Sequence, residues 1–150
     1  MILVTTGTAL ADDNLIRKID DLVKKQKISA DILAQIGDGN YKPTCFRYFR
    51  FVHDLKPYFQ MADLVISNCG AGTIFEVLDL GLPLIVVQNE NIIGGHEWEL
   101  IKKLEELNLL FWCKNYRDLP ELVKKARKHR FNKMNFKQFD YEAFNALVRL

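Results

Sequence analysis

The sequence predicts an α/β fold: a Rossmann-like parallel sheet of about six strands with helices on both faces. Three observations carry that expectation. Short apolar runs alternate with amphipathic segments along the whole chain. Leu84–Val87 is apolar without interruption, as expected of a strand covered on both faces. Leu64-Val65-Ile66-Ser67 leads through Asn68-Cys69 and Gly70-Ala71-Gly72-Thr73 straight into an apolar-periodic segment. That strand, glycine, helix order gathers free backbone N–H groups and a positive helix end at one point, which suits a phosphate.

The elements follow in order. Ile2–Thr5 is the first strand, and Asp12 or Asp13 can cap the helix after it. In that helix Leu15, Ile16, Ile19, Leu22 and Val23 share a face. Residues 31–36 form a second strand, closed by the turn signal Gly37-Asp38-Gly39-Asn40. Residues 45–52 interleave aromatic and basic side chains and read as a third strand. Pro57 fits the first turn of a short helix ending at Met61. Residues 64–67 are the fourth strand and 74–80 the helix after the glycine loop, stopped by Gly81 and Pro83. Beyond the fifth strand, 84–87, lies a polar loop, 88–95. Trp98, Leu100, Ile101, Leu104 and Leu107 then mark a helix over 96–107. Residues 109–113 are the sixth strand and 119–127 another helix.

Composition narrows the function classes. One hundred and fifty residues make one domain, 49% apolar and 27% charged, as in ordinary soluble globular proteins. A net charge of +2 does not argue for nucleic acid, and no nucleic-acid partner is expected. Cys45, Cys69 and Cys113 lie far apart with no C-x-x-C, which argues against a zinc ribbon and a disulfide framework. Free thiols in a reducing cytoplasm are the expectation, with Cys69 a small residue closing a strand rather than a nucleophile. No run approaches the roughly 20 apolar residues of a membrane span. Met1-Ile2-Leu3-Val4 is too short for a signal peptide, so the chain is expected to begin inside its fold.

The tail differs in character. Positive charge accumulates from Lys114 to Lys137, interleaved with Phe131 and Phe136, and residues 141–150 read as a terminal helix. A solvated basic face with aromatics packed back on the sheet accounts for this pattern. A docking surface for a partner or an anionic membrane is the sharper alternative, with 131–150 as the segment that docks.

In a doubly wound sheet, ligands bind beyond the carboxyl ends of the strands. Three loops meet that condition: Thr6-Gly7-Thr8, the glycine loop, and residues 88–96. The glycine loop is not a dinucleotide fingerprint, because Phe75 stands where a third glycine is needed and the loop follows the fourth strand rather than the first. A nicotinamide or flavin redox protein therefore ranks low. No Gly-Lys-Ser/Thr follows the loop, so the Walker pattern fails as well. Taken alone, the glycines can serve only to let a helix pack close to a strand, and Thr73 can serve only as an N-cap. Glu76, about one turn in, can accept hydrogen bonds from sugar hydroxyls. In Gly94-Gly95-His96-Glu97, His96 and Glu97 open a helix where both can reach a ligand's hydroxyls. Singly, each is as well explained as a surface residue of a first helical turn.

Together these motifs resemble a known family. Val4-Thr5-Thr6-Gly7-Thr8, Ala62-Asp63-Leu64-Val65-Ile66-Ser67, Gly70-Ala71-Gly72-Thr73 with Glu76, Gly81-Leu82-Pro83-Leu84-Ile85-Val86-Val87 and His96-Glu97 with Glu99-Leu100 occur in the order seen in the C-terminal, donor-binding half of family 28 glycosyltransferases. The resemblance extends from Met1 to about Cys113 and is strongest to the small soluble subunits of two-part N-acetylglucosaminyl transferases of lipid-linked oligosaccharide and bacterial polysaccharide assembly.

The resemblance implies a GT-B fold, an inverting mechanism without bound metal or other cofactor, and a UDP-sugar donor, usually UDP-N-acetylglucosamine. It implies that Gly70, Ala71, Gly72 and Thr73 cradle the diphosphate and that Glu76 holds the ribose hydroxyls. Asn91, His96 and Glu97 would face the donor sugar, and Gly7 and Thr8 would line the cleft. A membrane-associated partner subunit would supply the acceptor half and the lipid-linked acceptor, holding this cytoplasmic chain at the membrane periphery. Two positions depart from the pattern: Asn68 stands where a His is common, and Glu97 where a Gln is common. Glu97 still accepts from hydroxyls but loses a donor and adds negative charge near a diphosphate. Gly7, Thr8 and His53 are the candidates for the catalytic step, His53 as general base. The expectation is a subunit that binds donor alone and transfers sugar with its partner. A non-catalytic nucleotide-sugar-binding or regulatory module is the alternative.

Overall fold

In the computed structural model, residues 1–7, 11–68, 70–88 and 96–134 are described. Six parallel strands make one sheet: β1 (Ile2–Thr5), β2 (Ile32–Gln35), β3 (Arg47–Phe49), β4 (Leu64–Asn68), β5 (Leu84–Val87) and β6 (Phe111–Cys113), in the order β3-β2-β1-β4-β5-β6. The chain winds outward from β1 through β2 to β3, then returns to lay β4 against the free side of β1. Strand order therefore reverses between β1 and β4, the place where such sheets open a crevice.

Side-chain alternation along the strands builds two cores. Ile2, Val4, Ile66 and Ile85 point to one face, where α1 (Asp13–Lys24) contributes Leu15, Ile16 and Ile19 and α5 (Leu119–Ala126) contributes Leu119, Val123 and Ala126. Leu3, Val65, Leu84 and Val86 point to the other. There α2 (Lys56–Met61) adds Phe59, α3 (Ala71–Asp79) adds Ile74, Val77 and Leu78, and α4 (His96–Glu106) adds Ile101 and Leu104. Each such fully buried Val, Leu, Ile or Phe side chain stabilises the fold by about 1.5–3 kcal/mol.

Boundaries shift where local chemistry claims the backbone. Asp12, not Asp13, caps α1, its carboxylate accepting from the Leu15 amide at 3.0 Å. Asp13 instead accepts from the amides of Asn40 and Tyr41. The third strand covers 47–49 rather than 45–52; at its start the amides of Thr44 and Cys45 donate to the Asp20 carboxylate and leave the sheet. The helix after the glycine loop starts at Ala71, three residues before the expected Ile74, because Gly70 serves as its N-cap. Residues 109–110 belong to the turn that ends α4, with Asn108 at φ 56° and the Leu109 amide on the Leu104 carbonyl, so β6 begins at Phe111.

Phe131 packs edge-on against Phe111 at 4.8 Å between ring centres, and the Asn132 amide donates to the Asn108 carbonyl, so this part of the tail returns to the body of the fold. The terminal helix expected over 141–150 lies outside the described residues. No described helix is long and apolar enough to cross a membrane.

Candidate functional site: a crevice at the carboxyl edge of the sheet

β1 and β4 pair in parallel, Thr5 beside Ser67, and the loops that leave them flank the strand reversal. On the β1 side, Thr6 donates through its amide and its hydroxyl to the Gln35 carbonyl, both at 3.3 Å, which locks the strand end. The chain then turns at Gly7 with φ +73°, a conformation L side chains rarely adopt. Gly37 closes in from β2, where an added Cβ would lie 3.6 Å from the Gly7 carbonyl oxygen.

On the β4 side, Asn68 is the last strand residue and is buried. Its carbonyl accepts from the Gly70 amide at 2.7 Å, and its side-chain oxygen faces Gly7. Its side-chain amide also hydrogen-bonds the Asp12 carboxyl, tying the start of α1 to the end of β4. Burial raises the Asp12 carboxyl above the usual carboxylate range, against the opposing pull of hydrogen bonds from Leu15, Asn68 and Asn14. Asn68 is the site residue that sequence reasoning missed as an organiser. The available signal was a polar residue closing an otherwise apolar strand.

The start of α3 is the chemically open feature. Gly70 is its N-cap, with φ −73° and ψ 111°, and no side chain caps the helix. Thr73 is the third helical residue, so the reading of Thr73 as only an N-cap does not hold. The amides of Ala71, Gly72 and Thr73 precede the first amide with an intrahelical partner, Ile74, which donates to the Gly70 carbonyl at 3.0 Å. Neither Gly70 nor Gly72 is demanded by packing. Among the described residues, a Cβ on Gly72 would meet nothing within 4 Å, and one on Gly70 only the Thr73 hydroxyl at 3.9 Å. The glycines leave space in front of the helix start rather than helping it pack on a strand. Glu76 is exposed, one turn beyond Gly72 and Thr73 and on the same helix face, and pairs with no described residue.

The remaining candidates divide. Glu97 is exposed in the first turn of α4, the helix that returns from the carboxyl end of β5. His96 is the first residue of that helix. Thr8, Asn91 and Cys69 lie outside the described residues. His53 is exposed between β3 and α2. Three strand spacings separate β3 from β4, roughly 14 Å, so the structure does not bring His53 to the glycine loop. Its neighbour Asp54 is engaged in accepting from the Lys56 amide at 2.9 Å. Cys113 is buried, which pushes its thiol up to about 11 and keeps it protonated. Among the described residues no group of three or more His, Cys, Asp or Glu side chains is placed to hold a metal ion.

A parallel sheet with a strand reversal, and an uncapped glycine-lined helix start beside it, define a Rossmann-like domain with an open crevice at the carboxyl edge of its sheet. Comparison with known proteins agrees. Residues 1–148 match the glycosyltransferase family 28 C-terminal domain, and the chain belongs to that family. It is 37% identical over 122 residues to the human UDP-N-acetylglucosamine transferase subunit ALG13, a match that takes in 75% of this chain and 11% of that protein. The chain thus spans about a tenth of the human and mouse relatives it matches (11% and 10%). Its fold is similar to an ALG13 solution structure, with TM-score 0.65, 16% identity and coverage of 98% of this chain and 94% of that one. It is similar as well to MurG of Acinetobacter baumannii, with TM-score 0.61, 19% identity and coverage of 99% of this chain but 49% of that enzyme, about one half of a GT-B fold.

Proposed function

We propose that the chain is the UDP-sugar-binding subunit of an inverting GT-B glycosyltransferase. With a membrane-associated partner it would transfer a hexosamine, N-acetylglucosamine, to a lipid-linked acceptor. The observation that carries this reading is the start of α3: three amides unclaimed by any described side chain, fronted by glycines whose open side faces solvent. The human relative's description as a UDP-N-acetylglucosamine transferase subunit supports the donor and the need for a partner.

In this reading residues 1–150 act as one donor-binding domain, the cleft is completed by the partner, and the chain sits on the cytoplasmic side of the membrane. The diphosphate lies on the amides of Ala71, Gly72 and Thr73, and the ribose hydroxyls donate to Glu76. Asn91, His96 and Glu97 face the sugar, and Gly7 and Thr8 border the acceptor. Breaking the anomeric bond builds positive charge on the sugar ring and negative charge on the departing diphosphate. Hydrogen bonds to a charged group contribute about 1.5–3 kcal/mol each, and a helix start up to about 2 kcal/mol. Only the part that strengthens as charge develops speeds the reaction. The fixed amides stabilise the leaving group without a metal ion, and the proton of the acceptor hydroxyl passes to a base on the partner side.

The test is reconstitution. Calorimetry should show UDP binding by the chain alone, and sugar transfer from UDP-N-acetylglucosamine should appear only after the membrane partner is added. Binding without transfer in the complex would make the chain a non-catalytic nucleotide-sugar module. Absence of UDP binding would overturn the assignment.

A further inference from the structure

Residues 114–133 hold eight Lys or Arg and two Asp or Glu, a net +6 in a chain whose total is +2, which leaves the other 130 residues at −4. The fold turns this asymmetry in sequence into one in space. α5 buries Leu119, Val123 and Ala126 against the sheet. Helical spacing therefore sends Lys124 and Lys125 to solvent, and exposed Lys128 just past the helix end and Arg117 from the turn before α5 join them. These four line a shallow groove of about 570 Å³ around half-buried Leu122.

Among the described residues two carboxylates, Asp118 and Glu121, also line the groove, so basic groups outnumber acidic ones there by four to two. Glu121 pairs with Lys124 at 2.9 Å, and the Lys125 ammonium rests over the Phe111 ring at 4.8 Å. Arg117 and Lys128 form no ion pair with any described residue.

We infer that this outward face of α5 is a docking surface for an anionic lipid bilayer, so that the chain touches the membrane directly as well as through a partner. The match is one of charge and of depth. A bilayer carrying acidic headgroups presents an extended negative surface, and a row of basic residues along one helix face meets it over its length. Leu122 and the alkyl stems of the lysines give the groove an apolar floor at the level where headgroups meet acyl chains. At eight residues α5 is too short to span and too charged to sink, so it lies on the surface. Its N-terminal end is at the carboxyl edge of the sheet, because it follows β6, and the crevice stays open beside the membrane. This inference does not depend on the proposed reaction.

Vesicle co-sedimentation of the full chain tests it. The wild type should bind phosphatidylcholine vesicles containing phosphatidylserine and not pure phosphatidylcholine vesicles, and added salt should weaken the binding. Each basic residue near such a surface is worth roughly a fivefold factor. The triple variant Arg117→Gln, Lys124→Gln, Lys128→Gln should lose on the order of 100-fold, and Glu121→Gln should bind a few-fold more tightly than the wild type. All variants should keep the wild-type circular dichroism spectrum and melting temperature, which shows that they are folded. Equal binding to neutral and acidic vesicles, an unaffected triple variant, or attachment only when a protein partner is present would overturn the inference.

Discussion

The side-chain oxygen of Asn68 stands 3.7 Å from the point that a Cβ on Gly7 would occupy. This approach joins the ends of β1 and β4 and sets the mouth of the crevice. Gly7 adopts φ +73°, which costs a residue with a Cβ about 1–2 kcal/mol. Gly7→Ala should lose about that much stability in urea unfolding, and its UDP affinity should fall as the loop shifts. Unchanged stability would show that the loop relaxes freely and sets nothing.

Gly72→Ala should separate binding from stability. A Cβ at Gly72 meets no described atom within 4 Å, and Ala is the better helix former by about 1 kcal/mol. The variant should be as stable as the wild type or slightly more so. Calorimetry should nonetheless show UDP binding weakened about tenfold, a loss of about 1.4 kcal/mol, because the methyl group takes up the space in front of the amides.

Glu76→Gln should weaken UDP binding several-fold and leave inorganic pyrophosphate unaffected, if the carboxylate serves the ribose. An equal loss for both ligands would place Glu76 near the phosphates instead. Because Glu76 is exposed and unpaired among the described residues, the melting temperature should not move.

Asp20 and Tyr41 predict opposite pH arms. Burial pushes the Asp20 carboxyl up, but hydrogen bonds from Tyr41, Thr44 and Cys45 more than offset it and hold the group below its usual 3.8. Its stabilising contribution is therefore complete above about pH 4 and disappears as pH falls through the lowered folded value. The Tyr41 hydroxyl donates to Asp20 Oδ2 at 2.7 Å, which, with burial, raises the phenol from 10.0 to about 12. That contribution is present below pH 10 and disappears between 10 and about 12. Unfolding free energies measured across pH should show both arms. Asp20→Asn should cost about 2 kcal/mol near neutrality and remove the acid arm, and Tyr41→Phe should remove the alkaline one.

Gln35 is fully buried, and neither polar atom of its side chain has a partner among the described residues. Gln35→Met keeps the volume and the backbone carbonyl that Thr6 uses. It should raise stability by about 1 kcal/mol or more in thermal or urea unfolding. A loss would reveal an ordered water bound to the amide.

The strands were legible because five of the six carry apolar residues whose alternation or continuity has no other use in so short a run. β3 was overextended at its start because side-chain patterning does not report which backbone amides have left the ladder, and Asp20, 25 residues before Cys45, had already claimed that residue's amide. The strand, glycine, helix order around Gly70 and Gly72 was legible in the sequence. The openness of that loop was not, because whether Gly72 faces a strand or empty space depends on three dimensions. The Asn68 link to Gly7 and Asp12 joins positions over 50 residues apart and left no mark in local pattern.

A grip built from main-chain amides has no proton to gain or lose. In the proposed reading, where the amides of Ala71, Gly72 and Thr73 carry the diphosphate, that hold should stay constant over the whole acidity range in which the fold survives. Any change in nucleotide affinity with acidity would follow the ionisation of the nucleotide itself. A site dependent on histidine or lysine charges would lack that constancy.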